Sequence, residues 1–290
     1  MPLSSLDSLS SGNAGSQLTP FLKWAGGKRW LSASNSAIFP KIFDRYLEPF
    51  LGGAATFFHL MPASAILSDI NSELILTYQA IRDDWKAVYA ALKRHQRAHS
   101  EKHYYEERKR KRRNLTERAA SFLYLNRTCW NGLYRVNLQG QFNVPKGTKN
   151  NIILPTDNFP AVSKALKSAT ILSADFEEVI NKTERNDFLY VDPPYTVKHN
   201  MNGFVKYNEK IFTWDDQIRL ALSIEKSAKR GVKILVTNAD HQGVRELYQD
   251  LGVVKQLRRF SVIAGNKISR GETTELAVMI NYVPERDGYV

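Results

Sequence analysis

Cysteine is nearly absent: Cys129 stands alone among 290 residues, which excludes an internal disulfide and leaves too few thiolates for a structural zinc site of the usual kind. No run approaches the roughly 18 consecutive apolar residues of a membrane span. The Ser- and Gly-rich start lacks the basic and apolar segments of a signal peptide, so no membrane role and a cytoplasmic location are expected. Acidic residues are few beside basic ones: 29 Asp plus Glu against 41 Lys plus Arg leave a formal net charge of +12. Such an excess binds phosphate backbones through counterion release, which makes nucleic acid the natural partner. Internal repeats are missing too. With 43% hydrophobic and 24% charged residues, the composition excludes collagen, coiled coil and wholesale disorder.

Residues 1–19 carry no periodic apolar pattern and read as an unstructured tail. From Pro20 onward, short apolar runs at 46–50, 65–69, 169–173, 188–192 and 233–238 read as buried parallel strands. Helical patterns at 71–81, 215–230 and 242–251 alternate with them. That alternation predicts an α/β fold with a doubly wound, mostly parallel sheet. It stops over 82–164, where basic helical sequence gives way to a loop-rich stretch. An inserted, mainly helical second domain is expected there, with the core domain in 20–81 and 165–290. Two β-type runs, 253–262 and 274–282, predict a closing hairpin around the basic loop 264–271.

Several segments carry chemistry. Glu48-Pro49-Phe50-Leu51-Gly52-Gly53-Ala54 follows the first predicted strand, where ligands meet the carboxyl end of a doubly wound sheet. Its glycine pair lets the backbone approach such a ligand closely. The second strand ends in Asp69, about twenty residues on, where a carboxylate can accept hydrogen bonds from ribose hydroxyls. The dinucleotide fingerprint G-x-G-x-x-G is absent, which argues against nicotinamide and flavin. Upstream, Trp24-Ala25-Gly26-Gly27-Lys28-Arg29 suggests a phosphate loop, but that signature wants glycine where Leu22 stands and Ser or Thr in place of Arg29. What remains is a turn able to set Trp24 against an apolar ligand surface and Lys28 against a carboxylate, or a basic surface turn around a buried Trp.

Strand 188–191 runs directly into Asp192-Pro193-Pro194-Tyr195. The prolines fix an extended turn and remove backbone donors while leaving carbonyl acceptors. The Asp192 carboxylate and the Pro193 carbonyl can then hold the N–H bonds of an amine attached to a planar ring, with Tyr195 stacked on the ring. Two acceptors favour the tetrahedral nitrogen of a transition state at such an amine. In the insertion, the basic run Arg108-Lys109-Arg110-Lys111-Arg112-Arg113 is expected on a helix, its charges spread around the axis toward a phosphate backbone or toward solvent. The stretch 125–137 that follows mixes aromatics and arginines, a composition suited to entering a groove. The Arg135 fork matches guanine O6 and N7, and Trp130 can wedge into the gap left by a flipped base.

In this order, Lys23-Trp24-Ala25-Gly26-Gly27-Lys28, Glu48-Pro49-Phe50-Leu51-Gly52-Gly53, Ser68-Asp69-Ile70-Asn71 and Asp192-Pro193-Pro194-Tyr195 resemble the Dam-type, alpha-group DNA adenine-N6 methyltransferases over nearly all of 20–282. The resemblance implies S-adenosylmethionine as methyl donor, held by Trp24, Lys28, Glu48, Phe50, Gly52, Asp69 and Asp192, with Asp175 and Phe176 at its adenine ring. It implies catalysis by Asp192, Pro193 and Tyr195 on an adenine flipped from double-stranded DNA. Contact with that DNA is implied for Lys23, Arg127, Trp130, Asn131, Leu133 and Arg135, with GATC as target, no metal and no obligatory protein partner. Two alternatives stay open: methylation of a guanine amino group in structured RNA, and a DNA-binding repressor on a degenerate methyltransferase fold. Cytosine-C5 methylation needs a cysteine after proline, and Cys129 follows Thr128.

Overall fold

The computed structural model describes residues 18–137, 139–196, 212–260 and 272–284, with the side chains at 259, 260, 272 and 273 excepted. The expected tail 1–19 lies outside the described residues up to residue 17, whereas Leu18 packs against the core and is not part of an unstructured tail; the loop 264–271 also lies outside the described residues. The strands are β1 (Tyr46–Glu48), β2 (Ala65–Asp69), β3 (Ala169–Ser173), β4 (Phe188–Val191), β5 (Lys233–Ala239), β6 (Val253–Phe260) and β7 (Glu272–Ile280). They form one seven-stranded sheet in the order β3-β2-β1-β4-β5-β7-β6. The first five pair in parallel, and β7 lies antiparallel between β5 and β6. The expected mostly parallel α/β sheet and its closing hairpin are therefore present.

Successive strand residues face opposite sides, and the sheet divides its apolar side chains accordingly. Tyr46, Phe188, Tyr190 and Leu235 join one cluster, which continues into Leu74, Leu92, Leu123 and Phe159. Leu47, Leu189, Val191, Ile234 and Val236 join the other, with Phe176, Leu220 and Tyr248. The helices behind the first cluster include α1 (Arg29–Ser34), α2 (Ala55–Leu60), α3 (Ser72–Ala98), α4 (Glu101–Lys109), α5 (Leu115–Thr128) and α6 (Phe159–Leu166). Covering the other face are α7 (Phe176–Ile180), α8 (Trp214–Lys229) and α9 (Gln242–Tyr248). Strand order reverses between β1 and β4, and the crevice outside the carboxyl ends at such a switch point is where ligands bind in this architecture.

Two sequence expectations are corrected. The helix expected to stop at Ile81 continues to Ala98. Its backbone leaves helical geometry at Asp84 (φ −146°, ψ 72°), and the Asp84 carboxylate accepts the Ala87 amide at 3.0 Å. The polar break thus caps a second helical segment whose face buries Val88, Leu92 and His95. The basic run 108–113 does not form one helix. Helix α4 stops at Lys109, because the buried Glu107 draws Arg112 back in a bidentate pair at 2.7 Å and six like charges repel along a helix. Lys109, Lys111 and Arg113 stay exposed. Beside this pair, His95 Nδ1 lies 3.0 Å from His103 Nε2. His95, His103 and Glu107 each place one side-chain N or O atom within 4.8 Å of the others inside the helical layer.

Candidate active site

The crevice at the strand switch gathers three carboxylates from the ends of adjacent strands: Asp69 from β2, Glu48 from β1 and Asp192 just past β4. Glu48 is 3% exposed, and its Oε2 has no hydrogen-bond partner among the described residues. Burial pushes Glu48 well above the usual carboxylate range, and the neighbouring Asp192 and Asp69 charges add to the rise. Burial raises Asp69 as well, against the pull of backbone amides. Its oxygens accept Gly52 N at 3.1 Å and Asn71 N at 2.9 Å, so Asp69 shapes the glycine turn from below. Grouped, partly desolvated acids of this kind are suited to a cationic ligand.

The Gly52 side of the crevice is closed by Trp24. Gly52 has φ +44°, and a Cβ built there would lie 2.6 Å from Trp24 Cδ1, so only glycine lets the turn and the indole meet. Trp24 in turn stacks on Tyr134 at 5.5 Å and on Phe122 at 6.4 Å. Phe50 stacks on Phe176 at 5.5 Å, and the Arg219 guanidinium covers the Phe176 ring at 4.1 Å. Asp175 caps α7 and forms a bidentate pair with Arg219 at 2.7 and 3.0 Å, which holds its carboxyl below the ordinary range. Glu48, Phe50, Gly52, Asp69, Asp175 and Phe176 thus lie at or just past the ends of β1, β2 and β3, with Trp24 packed on Gly52, although Asp175 is engaged by Arg219, a residue the sequence reading did not single out.

Asp192 is the hub. Lys28 Nζ lies 2.8 Å from both of its oxygens, and Thr237 on β5 donates to Oδ1 at 2.9 Å. Burial raises Asp192 above its ordinary value while Lys28 restrains the rise. Lys28 is also tied to the Gly26 carbonyl at 2.8 Å and sits 4.9 Å over the Tyr195 ring. The Tyr195 hydroxyl donates to Glu275 on β7 at 2.8 Å. Pro193 is buried, and the next carbonyl, that of Pro194, faces the Gln217 amide at 3.5 Å. Thr237 and Glu275 were missed in the sequence. The signal for Glu275 was available, a carboxylate leading into the apolar run 276–280, but nothing local said what it would face.

A second surface comes from residues 126–143 together with Lys23. Trp130–Gly132 forms a 3-10 turn in which Asn131 (φ 55°) and Gly132 (φ 66°) are left-handed, a conformation Asn-Gly tolerates. Trp130 is 53% exposed, Asn131 is exposed, and Leu133 is half-buried. Arg135 donates to Asn143 at 2.9 Å from an exposed position. Asn126 clamps the Lys23 backbone through bonds of 3.1 and 2.8 Å, and burial with the neighbouring Lys149 ammonium lowers Lys23 to about 8. Arg127 is the exception among the residues expected at DNA. It is 3% exposed, paired with Asp157 at 2.6 and 2.7 Å, and donates to the Ile152 and Phe21 carbonyls. Helix α5 is buried continuously from Ala119 to Thr128, so its arginine is spent inside the fold and cannot face a groove.

Comparison with known proteins places these features in context. A sequence model of the D12 class N6 adenine-specific DNA methyltransferases matches residues 24–263. The chain is 35% identical over 274 residues to the type II methyltransferase M1.LlaDCHI of Lactococcus lactis subsp. cremoris, covering 91% of this chain and 96% of that protein. It is 36% identical over 295 residues to the type II methyltransferase M.MjaIII of Methanocaldococcus jannaschii, covering 92% and 100%. Identity to the DNA adenine methylase of Escherichia coli K12 is 32% over 253 residues, covering 85% and 91%.

Proposed function

Because this chain belongs to the D12 class of N6 adenine-specific DNA methyltransferases, we propose that it moves a methyl group from S-adenosylmethionine to N6 of an adenine everted from duplex DNA, within a GATC-like site. The observation that carries this reading is the Asp192 carboxylate, seated by Lys28 and Thr237 beyond β4 and flanked by the buried acids Glu48 and Asp69. The residues present fit a sulfonium donor. Glu48 offers a buried oxygen without a hydrogen-bond partner among the described residues, and the three acids answer a ligand with cationic groups. Trp24, Lys28, Glu48, Phe50, Gly52, Asp69, Asp175 and Phe176 are the groups that would hold it. Bound there, the donor supplies a methyl group on positively charged sulfur, which is already a good leaving group.

The chain's own contribution is alignment and electrostatics. Asp192 accepts N–H bonds of the target amine, with the Pro193 carbonyl as second acceptor, and steadies the positive charge that develops on nitrogen. Tyr195 supplies a ring face for the everted base. Holding the reactants together is worth up to about 7–11 kcal/mol of the barrier. Eversion costs about a few kcal/mol, and the exposed Trp130 fills the vacated space. In this reading residues 82–164 are the recognition insertion, with Lys23, Asn131, Leu133 and Arg135 at the DNA and Lys149 beside Lys23.

Expression in a methylation-deficient bacterium, followed by sequencing of modified adenines, tests the reading. The wild-type protein is expected to give N6-methyladenine at GATC-like sites and Asp192→Ala none. Equal modification by both proteins, or none by either, would sink the proposal, whereas methylation at another sequence overturns only the GATC element.

A further inference from the structure

Strand β7 carries a carboxylate at the start of an apolar stretch. Leu276, Ala277, Val278, Met279 and Ile280 are buried, and Glu275 before them is 2% exposed. Burying a carboxylate is unfavourable unless it is paired. Glu275 Oε2 accepts the Tyr195 hydroxyl at 2.8 Å and lies 3.7 Å from Lys28 Nζ. Register explains how it arrives there. Thr237 of β5 pairs with Ala277, and Glu275, two residues along β7 from Ala277, projects to the same side of the sheet. Thr237 and Glu275 therefore approach Asp192 and its neighbours from adjacent strands.

Around Lys28, one ammonium faces two carboxylates. Lys28 lies 2.8 Å from both Asp192 oxygens, and Thr237 occupies one of them again. So seated, Asp192 has little acceptor capacity left for an incoming amine. The same ammonium, tethered to the Gly26 carbonyl, needs only a short swing to reach Glu275.

We propose that Glu275 is a positioning residue that offers Lys28 a second seat: as the target amine reaches Asp192, the ammonium shifts its pairing to Glu275 and releases the Asp192 oxygens. The Tyr195–Glu275 bond holds the tyrosine ring in place meanwhile. No covalent bond or proton moves in this exchange. With Lys28 seated on Glu275, the freed Asp192 oxygens face the nitrogen as it becomes positive. With Gln at 275, Lys28 stays on Asp192 and its oxygens remain occupied. The inference rests on the assignment of Asp192 to the target amine.

The test compares single-turnover methyl transfer and equilibrium binding for the full chain with S-adenosylmethionine and a GATC duplex. Glu275→Gln keeps the side-chain shape and removes the charge. The transfer rate is expected to fall roughly ten- to hundredfold while both Kd values stay within about threefold. In a Lys28→Met background the Glu275→Gln penalty is expected to shrink to under about twofold, since no ammonium remains to be moved. A residue that only braces β7 gives the same penalty in both backgrounds. Wild-type rate for Glu275→Gln, a penalty unchanged by Lys28→Met, or a loss confined to binding overturns the inference. If Glu275→Gln does not fold, Glu275→Asp enters the same cycle; if Lys28→Met has no measurable rate, the split between rate and binding decides alone. Asp192→Asn in parallel separates the failures. Full activity there overturns the site assignment itself, whereas an inactive Asp192→Asn beside a wild-type Glu275→Gln overturns only the role of Glu275.

Discussion

Replacing Gly52 by alanine places a methyl group 2.6 Å from Trp24 Cδ1 and 3.0 Å from its Nε1. Carbon atoms rest in contact at about 3.5 Å, so the indole has to retreat by about 0.9 Å. Tyr134 and Phe122 back it in near-parallel stacks, and losing one such ring pair costs about 0.5–1.5 kcal/mol. Gly52 also sits at φ +44°, where an L-residue costs roughly 1–2 kcal/mol. The sum is about 1.5–3.5 kcal/mol, a factor of roughly 10 to 400 in an equilibrium constant. It emerges as lost stability if the turn holds its shape and as lost donor affinity if the turn yields, so both are measured, by denaturant unfolding and by titration calorimetry with S-adenosylmethionine. Gly53→Ala is the control. Its added carbon meets Trp24 Cβ at 3.4 Å and the Leu22 carbonyl at 3.9 Å, ordinary contacts, and the change is expected to be neutral or to stabilise by about 0.4–1 kcal/mol through the unfolded chain. A Gly52→Ala protein whose combined loss is under about 0.5 kcal/mol, or a Gly53→Ala protein as impaired as it, refutes the reasoning.

Other outcomes follow from burial and charge. Asp157→Ala strands the buried Arg127 guanidinium and is expected to cost about 3–5 kcal/mol in urea unfolding; a loss under about 1 kcal/mol would show the pair to be dispensable. Glu48 has a folded pKa raised by burial, so its ionisation destabilises the donor-free fold progressively as pH rises from the ordinary carboxylate range through the raised value. Glu48→Gln is therefore expected to melt above wild type at neutral pH, with the gap closing on acidification, and a gap that widens on acidification contradicts the assignment. Trp130→Ala is expected to weaken the fluorescence rise of 2-aminopurine at the target position while leaving donor affinity and melting unchanged. Equal fluorescence in the two proteins would remove the wedge.

The catalytic sheet was largely legible because its information is local. Strands β2 and β3 begin and end where their apolar runs do, and the turns at Asp69 and Asp192 follow directly from residues adjacent in sequence. Helix α3 was truncated in the reading because Asp83-Asp84 interrupts its apolar period, while the chain uses Asp84 to cap a second segment. Arg127 was misassigned because arginine beside aromatic residues has the same composition whether it faces DNA or a buried Asp157. Only the packing around α5 distinguishes the two cases.

By itself, then, the sequence determined the strand and helix periods, the special turns, the excess of positive charge and the motif order, all of which depend on neighbours a few residues apart. The tertiary structure decided which charges meet. Lys28 and Asp192 are 164 residues apart, and Glu275 joins them only because β7 inserts beside β5. An ionisable group's partner, and hence its role, depends on which strands become neighbours, and strand order is a property of the whole chain's packing that no short stretch of residues encodes.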